Sequence, residues 1–262
     1  MPVRSRLPIT VRTYEFDALN TIPPAVFLQW MQDAAILASA ENGFPALRYR
    51  ELGTAWVLSD ILLEVYDHPQ PGQELEVETW VADFGAARSH RQYRVLTDEG
   101  SLLAAGQALW AYVNIESRRP QRLDKELRDA FALDPERAPE DPEWGTELLR
   151  EKDGETDERT HTVRWSELDG AFHVNNTVYA TWVVDHLAVN DLGSPDLSDK
   201  GTDRIRGYGP GNIKRLRLSY RRSAVLGETV TWKLRRLSGT ATVQEVADAD
   251  DQTIAQAAVL LG

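Results

Sequence analysis

Within Glu74–Phe84, apolar and polar positions alternate, with Leu75, Val77, Thr79 and Val81 facing one way and Glu74, Glu76 and Glu78 the other. That period of two predicts a half-buried strand. Similar runs predict strands at Thr54–Tyr66, Ala87–Thr97 and Ser101–Ile115, with turns at Pro69–Gly72 and Asp98–Gly100. A second set follows at Ile213–Arg222, Glu228–Leu237, Thr240–Ala249 and Thr253–Leu261. The period changes over Ala25–Ala40, where Phe27, Trp30, Met31, Ala34, Ala35 and Ala38 recur at spacings of three and four. This predicts a helix that starts at Pro23-Pro24 and ends before Gly43. A second helix is predicted over Val178–Val189, with Asn175 or Asn176 as its N-cap. Short strands, Ile9–Phe16 and Thr160–Leu168, are expected to lead into the two helices.

The two helices belong to a repeat. Val11–Asp33 and Val163–Asp185 align at a constant offset of 152 residues with seven of 23 positions identical, among them Glu15/Glu167, Asp17/Asp169, Trp30/Trp182 and Asp33/Asp185. Gly72/Gly227 and Gln107/Gln256 also fall at corresponding places. A repeat on this scale means two similar folding units rather than a solenoid. The order strand, helix, several strands, given twice, predicts an α+β fold in which a long helix is wrapped by an antiparallel sheet. The expected boundaries are an N-terminal domain at 1–118, a charged, proline-bearing linker at 119–158 with a short helix near Lys125–Phe131, and a C-terminal domain at 159–262.

Composition narrows the chemistry. The 262 residues include no cysteine, which removes disulfides, thiolate metal sites and a cysteine nucleophile. No segment approaches the roughly 18 uninterrupted apolar residues of a membrane span, and the N-terminus lacks a signal-like apolar run, so a cytoplasmic protein is expected. A net charge of −12 argues against nucleic acid as a partner. One stretch runs the other way: Arg204, Arg206, Lys214, Arg215, Arg217, Arg221 and Arg222 occur between 204 and 222 with no acidic residue among them. It is either a solvated strand face or a surface for an acidic partner.

Candidate chemistry sits in the second copy of the repeat. Asp169 and His173 are four residues apart in a loop that enters a helix N-terminus. That end carries unpaired N–H groups and a positive dipole suited to an oxyanion. The set fits base-assisted attack of water on a carbonyl, or direct attack by the carboxylate. The alternative is structural: Asp169 and Asn175 cap local turns while His173 packs on a neighbour. His68, His90, His161 and His186 have no metal-ligand spacing, so a metal is not expected. The first copy has Thr21 opposite His173 and Pro23-Pro24 opposite Asn175-Asn176.

ELDGAFHVNNTVYATWVVD resembles the loop–helix signature of hotdog-fold thioesterases, and specifically the (S/T)DLDxNxHVNNxxYxxW pattern of acyl-acyl-carrier-protein thioesterases. AWVLSDILLEVYDHPQPGQELEVETWV, GSLLAAGQALWAYVNIESRRPQRL and RLSYRRSAVLGETV are similar to further segments of that family, in the same order, from about Val11 to Leu261. The resemblance implies two tandem hotdog domains forming a single-chain pseudo-dimer that hydrolyses fatty acyl-[acyl-carrier-protein] to free fatty acid without a cofactor. It puts the catalytic aspartate and histidine on Asp169 and His173, with Asn175 as a supporting amide. It also implies an acyl pocket in the first domain, for which Phe27, Trp30, Met31, Trp56, Leu58 and Trp110 are candidates beside their ordinary role as core. Arg215, Arg217, Arg221 and Arg222 become candidates for docking the acidic carrier. Monomer and homodimer both fit.

The chain departs from the pattern at two places. The family asparagine between the catalytic pair falls on Ala171, and the family Y-R-R-E-C reads Tyr220-Arg221-Arg222-Ser223-Ala224. Loss of an amide that held water or oxyanion would cost about 3 kcal/mol of barrier. The departures keep two other readings in play, a thioesterase acting on acyl-CoA or a polyketide-type carrier and a weakly active or non-catalytic acyl binder. A hotdog dehydratase, which also uses a histidine and a carboxylate, is a third that the ordered thioesterase motifs weigh against.

Overall fold

The computed structural model describes residues 3–154, 156–192, 213–237 and 239–262. The chain divides into two units, one of Met1–Thr13 with Phe27–Pro142 and the other of Tyr14–Val26 with Glu143–Gly262. The first contains β1 (Ser5–Thr10), most of α1 (Pro24–Glu41), α2 (Ala46–Glu51), β2 (Thr54–Val65), β3 (Glu74–Phe84), β4 (Arg88–Thr97), β5 (Leu102–Asn114) and α3 (Lys125–Ala130). Its strands run in the order β1-β3-β4-β5-β2, each pair antiparallel. The second contains β6 (Thr156–Thr162), α4 (Asn176–Leu192), β7 (Ile213–Tyr220), β8 (Thr229–Arg236), β9 (Ala241–Ala247) and β10 (Thr253–Leu261). Its order is β6-β8-β9-β10-β7, again antiparallel, so the second unit repeats the topology of the first. This is an α+β architecture built twice.

Each helix buries the face that its spacing predicts. Phe27, Trp30, Met31, Ala34 and Ala38 of α1 are buried, as are Tyr179, Ala180, Trp182, Val183 and Leu187 of α4. Burying a Phe or Met side chain contributes about 1.5–3 kcal/mol. In the first unit α1 packs close to β5 because position 106 has no side chain. A Cβ on Gly106 would stand 2.8 Å from Met31 Sδ and 3.3 Å from the Leu62 carbonyl. The offset of 152 also runs through the cores, joining Trp80 to Trp232 and Gln92 to Gln244, all four buried. The glutamines are held by hydrogen bonds, Gln92 to Gln107 Oε1 at 3.0 Å and Gln244 to the Val183 carbonyl at 3.1 Å.

The structure corrects three sequence expectations. The strands entering the helices are β1 and β6, shorter and earlier than Ile9–Phe16 and Thr160–Leu168. The chain instead leaves each sheet through a 3-10 turn, Thr13–Glu15 or Trp165–Glu167. Gly72 and Gly227, both at positive φ, donate to the carbonyls of Val11 and Val163 and close the same corner in each unit. Segment 119–158 is not a free linker. Its first part packs on the first unit, with Leu123, Leu127 and Ala138 buried and Trp80 Nε1 donating to the Glu136 carbonyl at 3.0 Å. Its later part packs on the second unit, where Gln256 Nε2 reaches the Leu149 carbonyl and Arg235 the Glu151 carbonyl. Finally, residues 14–26 of the first repeat copy group with the second unit.

Candidate active site

Both repeat copies fold the same loop. Asp17 N–H donates to the Thr21 carbonyl at 2.9 Å, and Asp169 N–H to the His173 carbonyl at 2.8 Å. Inside each loop one carboxylate oxygen gathers backbone amides, as aspartate commonly does in turns. Asp17 Oδ1 accepts from Leu19 N–H (2.9 Å) and Thr21 N–H (3.0 Å). Asp169 Oδ1 accepts from Ala171 N–H (2.8 Å) and, more loosely, His173 N–H (3.4 Å). The fourth loop residue is left-handed in both, Asn20 at φ 58° and Phe172 at φ 60°. One oxygen of each aspartate is therefore structural.

The other oxygen differs. Thr21 Oγ1 donates to Asp17 Oδ2 at 2.9 Å and closes it. Histidine at the matching position removes that hydroxyl, and among the described residues no protein donor replaces it on Asp169 Oδ2. Asp169 is exposed and His173 half-buried. Among the described residues no side chain hydrogen-bonds the His173 imidazole, whose ring is tied down only through its backbone, bridged to Val225. The second copy thus presents a carboxylate oxygen and an imidazole, neither hydrogen-bonded by another side chain among the described residues, on a loop whose backbone is fixed.

The helix start beside them is largely used up. Asn175 Oδ1 is the N-cap of α4, accepting Thr177 N–H and Thr177 Oγ1–H, each at 2.9 Å. Val178 N–H donates to the Asn175 carbonyl and Asn175 N–H to the Glu167 carbonyl, both at 3.0 Å. Of the amides from Asn175 to Val178, the Asn176 N–H alone has no acceptor among the described residues. The oxyanion donors expected across Asn175–Val178 narrow to that one, and Asn175 takes the capping role.

A residue that sequence reasoning passed over anchors the loop. Glu167 Oε2 accepts Arg164 N–H (2.7 Å) and pairs with His161 Nε2 (2.9 Å), while Oε1 accepts Trp182 Nε1–H (2.9 Å). Burial alone would raise its carboxyl pKa, but these donors together hold it below the ordinary glutamate value. The signal was in the sequence, since Glu15/Glu167 and Trp30/Trp182 are identical pairs of the repeat. On the other side, Ala224 N–H donates to the buried Tyr179 hydroxyl (3.0 Å), whose pKa burial pushes up to about 12. Val174 N–H donates to the Ala224 carbonyl at 3.0 Å, so the 221–228 turn is stitched to the loop.

The remaining sequence candidates belong to other elements. Phe27, Trp30 and Met31 are core residues of α1, and Phe27 meets Trp30 edge-on at 5.4 Å. Leu58 is buried on β2, Trp110 faces it across the β2–β5 ladder, and Trp56 packs on Tyr112 and donates to Tyr49 Oη at 3.2 Å. The arginines do not form one exposed face. Arg217 is buried, with its guanidinium on the Trp144 carbonyl at 3.0 Å, and Arg215 lies over the Trp144 ring. Arg222 binds both Glu228 and Asp248, leaving Arg221 exposed. The strand puts Arg217 against the later part of the connecting segment, which sequence spacing alone does not reveal. Arg204 and Arg206 lie outside the described residues.

Residues 6–131 match the family model for the acyl-ACP thioesterase N-terminal domain, and residues 150–199 that for the C-terminal domain. The chain belongs to the acyl-ACP thioesterase family. Among its relatives, the chloroplastic palmitoyl-acyl carrier protein thioesterase of Cuphea hookeriana is 27% identical over 200 residues, 72% of this chain and 48% of that protein. Oleoyl-acyl carrier protein thioesterase 2 of Arabidopsis thaliana is 27% identical over 202 residues, 71% of this chain and 55% of that protein. The chain thus spans about half the length of the curated relatives it matches. The fold is shared with the acyl-ACP thioesterase of Bacteroides thetaiotaomicron VPI-5482 (TM-score 0.79, 18% identity, 99% and 98% of the two chains). It is shared equally with the 12:0-ACP thioesterase of Umbellularia californica (TM-score 0.76, 20% identity, 100% and 98%). Against the family pattern, Ala171 offers the site only its N–H, which Asp169 already takes. Ala224 is fully buried and Ser223 exposed.

Proposed function

We propose that this protein hydrolyses the thioester of a fatty acyl chain carried on acyl carrier protein and releases the free fatty acid. Family membership supplies the reaction class. The observation that carries the site is the contrast at Oδ2, capped by Thr21 in one copy and, among the described residues, without a donor in the other, whose loop carries His173. In this reading Asp169 Oδ2 and His173 orient a water and take its proton as the oxygen attacks the thioester carbonyl. The Asn176 N–H faces the developing oxyanion, a contribution of about 3 kcal/mol for one well-placed donor. Collapse of the tetrahedral intermediate breaks the C–S bond, and the proton held by the pair passes to the departing thiolate.

The two units are read as a tandem pair of hotdog domains in a single-chain pseudo-dimer. The repeat, the matching topologies and the identical loop geometry support this. Asp17 is then a structural survivor, and Phe27, Trp30, Met31, Trp56 and Trp110 belong to the domain that holds the acyl chain. A cytoplasmic location is part of the same proposal.

Free fatty acid release from matched panels of acyl-carrier-protein and acyl-CoA thioesters tests it. Release from the carrier-bound panel is expected, and faster release from acyl-CoA of the same chain would reassign the carrier. One observation favours a slow enzyme: Ala171, Ser223 and Ala224 bring no amide, carboxylate or thiol to the site. No release from either panel, with tight binding of free fatty acid, would establish the acyl-binder reading.

A further inference from the structure

Four exposed apolar side chains lie on the candidate loop and on the two turns joined to it in the second unit. Trp165 is 68% exposed, Phe172 66%, Leu226 51% and Val225 45%. Trp165 and Phe172 meet edge-on with ring centroids 6.2 Å apart. Phe172 immediately precedes His173, and His173 is bridged to Val225. The set therefore belongs to the loop that carries His173 and to the two turns joined to it in chain or by backbone, and forms a rim to that loop, not four scattered residues of the kind any surface carries.

The first copy supplies an internal control. Thr13 opens the 3-10 turn that Trp165 opens in the second. Asn20 holds the left-handed position of Phe172. The Gln70 and Val225 carbonyls each accept, at 3.1 Å, the amide three residues on, which matches Gln70 with Val225 and Pro71 with Leu226. Where the loop lacks histidine the matched positions are Thr13, Asn20, Gln70 and Pro71; where it has histidine they are Trp165, Phe172, Val225 and Leu226. Phe172 is the most telling. Positive φ suits asparagine, and a bulky side chain there carries strain of about 1–3 kcal/mol. The second copy keeps an exposed aromatic at a position its own fold disfavours.

Resting on the thioesterase reading, we infer that this rim is the docking surface for the acyl carrier protein. A carrier that delivers a thioester to His173 on a tethered arm docks within reach of that arm, and the rim, which includes the chain neighbour of His173, lies within that reach. Exposed aromatics at the centre of a contact supply most of its affinity, and the exposed Arg164 and Arg221 adjoin the rim in sequence and suit an acidic partner. The rim thereby replaces the arginine strand as the principal contact, since Arg217 is buried and Arg222 is held by two carboxylates.

Phe172→Asn, Trp165→Ser and Leu226→Ser test this, with Tyr14→Ser as a control exposed aromatic. For the three rim variants, KM for carrier-bound substrate should rise at least about tenfold. Hydrolysis of the same acyl group on pantetheine should change less than twofold, and Tyr14→Ser should alter neither. Phe172→Asn should also raise Tm, which separates lost docking from lost folding. Equal losses on both substrates, or no loss on either, would overturn the inference. So would sedimentation showing that wild type dimerises through the rim and the variants do not. Binding of holo carrier protein by fluorescence anisotropy needs no turnover. Weaker binding in the variants of an inactive wild type would reject the thioesterase reading and keep the rim, and unchanged binding would reject the rim itself.

Discussion

Thr21 Oγ1 donates a hydrogen bond to Asp17 Oδ2 at 2.9 Å and so closes the oxygen that Asp169, in the same loop of the other copy, leaves open. Removing the hydroxyl should therefore affect folding alone. Thr21→Ala is expected to lower stability by about 1 kcal/mol with no change in thioester hydrolysis, by urea denaturation and a steady-state assay on one preparation. A fall in rate larger than the fall in folded protein would give the first loop a part in the chemistry.

The close approach of α1 to β5 predicts a steep cost at Gly106. Alanine there places a Cβ against Met31 Sδ and the Leu62 carbonyl. Overpacking of this kind costs about 1–3 kcal/mol. Met31→Ala combined with Gly106→Ala should recover part of it, because the two sites share one space. Strictly additive losses in the double variant would mean that the helix does not lie where the structure puts it.

Glu167 links acid sensitivity to the candidate loop. Donors from Arg164, His161 and Trp182 outweigh burial and keep its folded pKa below the unfolded value of about 4.3. As pH falls, the unfolded chain takes up this proton first, so the stabilisation is present above that value and is lost through the folded pKa below it. The stability gap between wild type and Glu167→Gln should accordingly shrink from pH 7 to pH 4. A gap constant with pH would place the contribution of Glu167 in packing instead.

His186 acts at a higher pH. Its burial lowers the folded pKa, and the bond from Nε2 to Asp157 Oδ1 at 3.3 Å offsets this only in part. With an unfolded value near 6.5, the unfolded state binds the proton first. Stability is therefore full above about pH 7 and is lost as pH falls through 6.5 toward the folded value. His186→Gln should flatten thermal stability between pH 7 and pH 5 relative to wild type. Parallel declines would assign that range to other groups.

Much of this could be read from the chain because one local rule dominated at each place. Alternation set β3 at Glu74–Phe84 and three-to-four spacing set α1, although burial of Glu78, Trp80 and Ala82 on the second face of β3 goes beyond what alternation implies. The entry strands were misplaced because the chain turns into 3-10 geometry at Thr13–Glu15 and Trp165–Glu167, which periodicity does not register. The arginine strand misled because alternation says which residues share a side, not that the later connecting segment covers Arg217. Asp169 and His173 were visible from the repeat and the motif. That one oxygen of Asp169 is committed to Ala171 N–H, and that Asn175 is spent as a cap, required coordinates.

The most direct test compares the two aspartates in one assay. Release of free fatty acid from an acyl-carrier-protein thioester should fall at least about a hundredfold in Asp169→Ala and in His173→Ala. Asp17→Ala should keep a wild-type rate per folded molecule while losing stability. Wild-type rates in both second-copy variants, or an equal loss in Asp17→Ala, would contradict the assignment of catalysis to the loop that exchanged threonine for histidine.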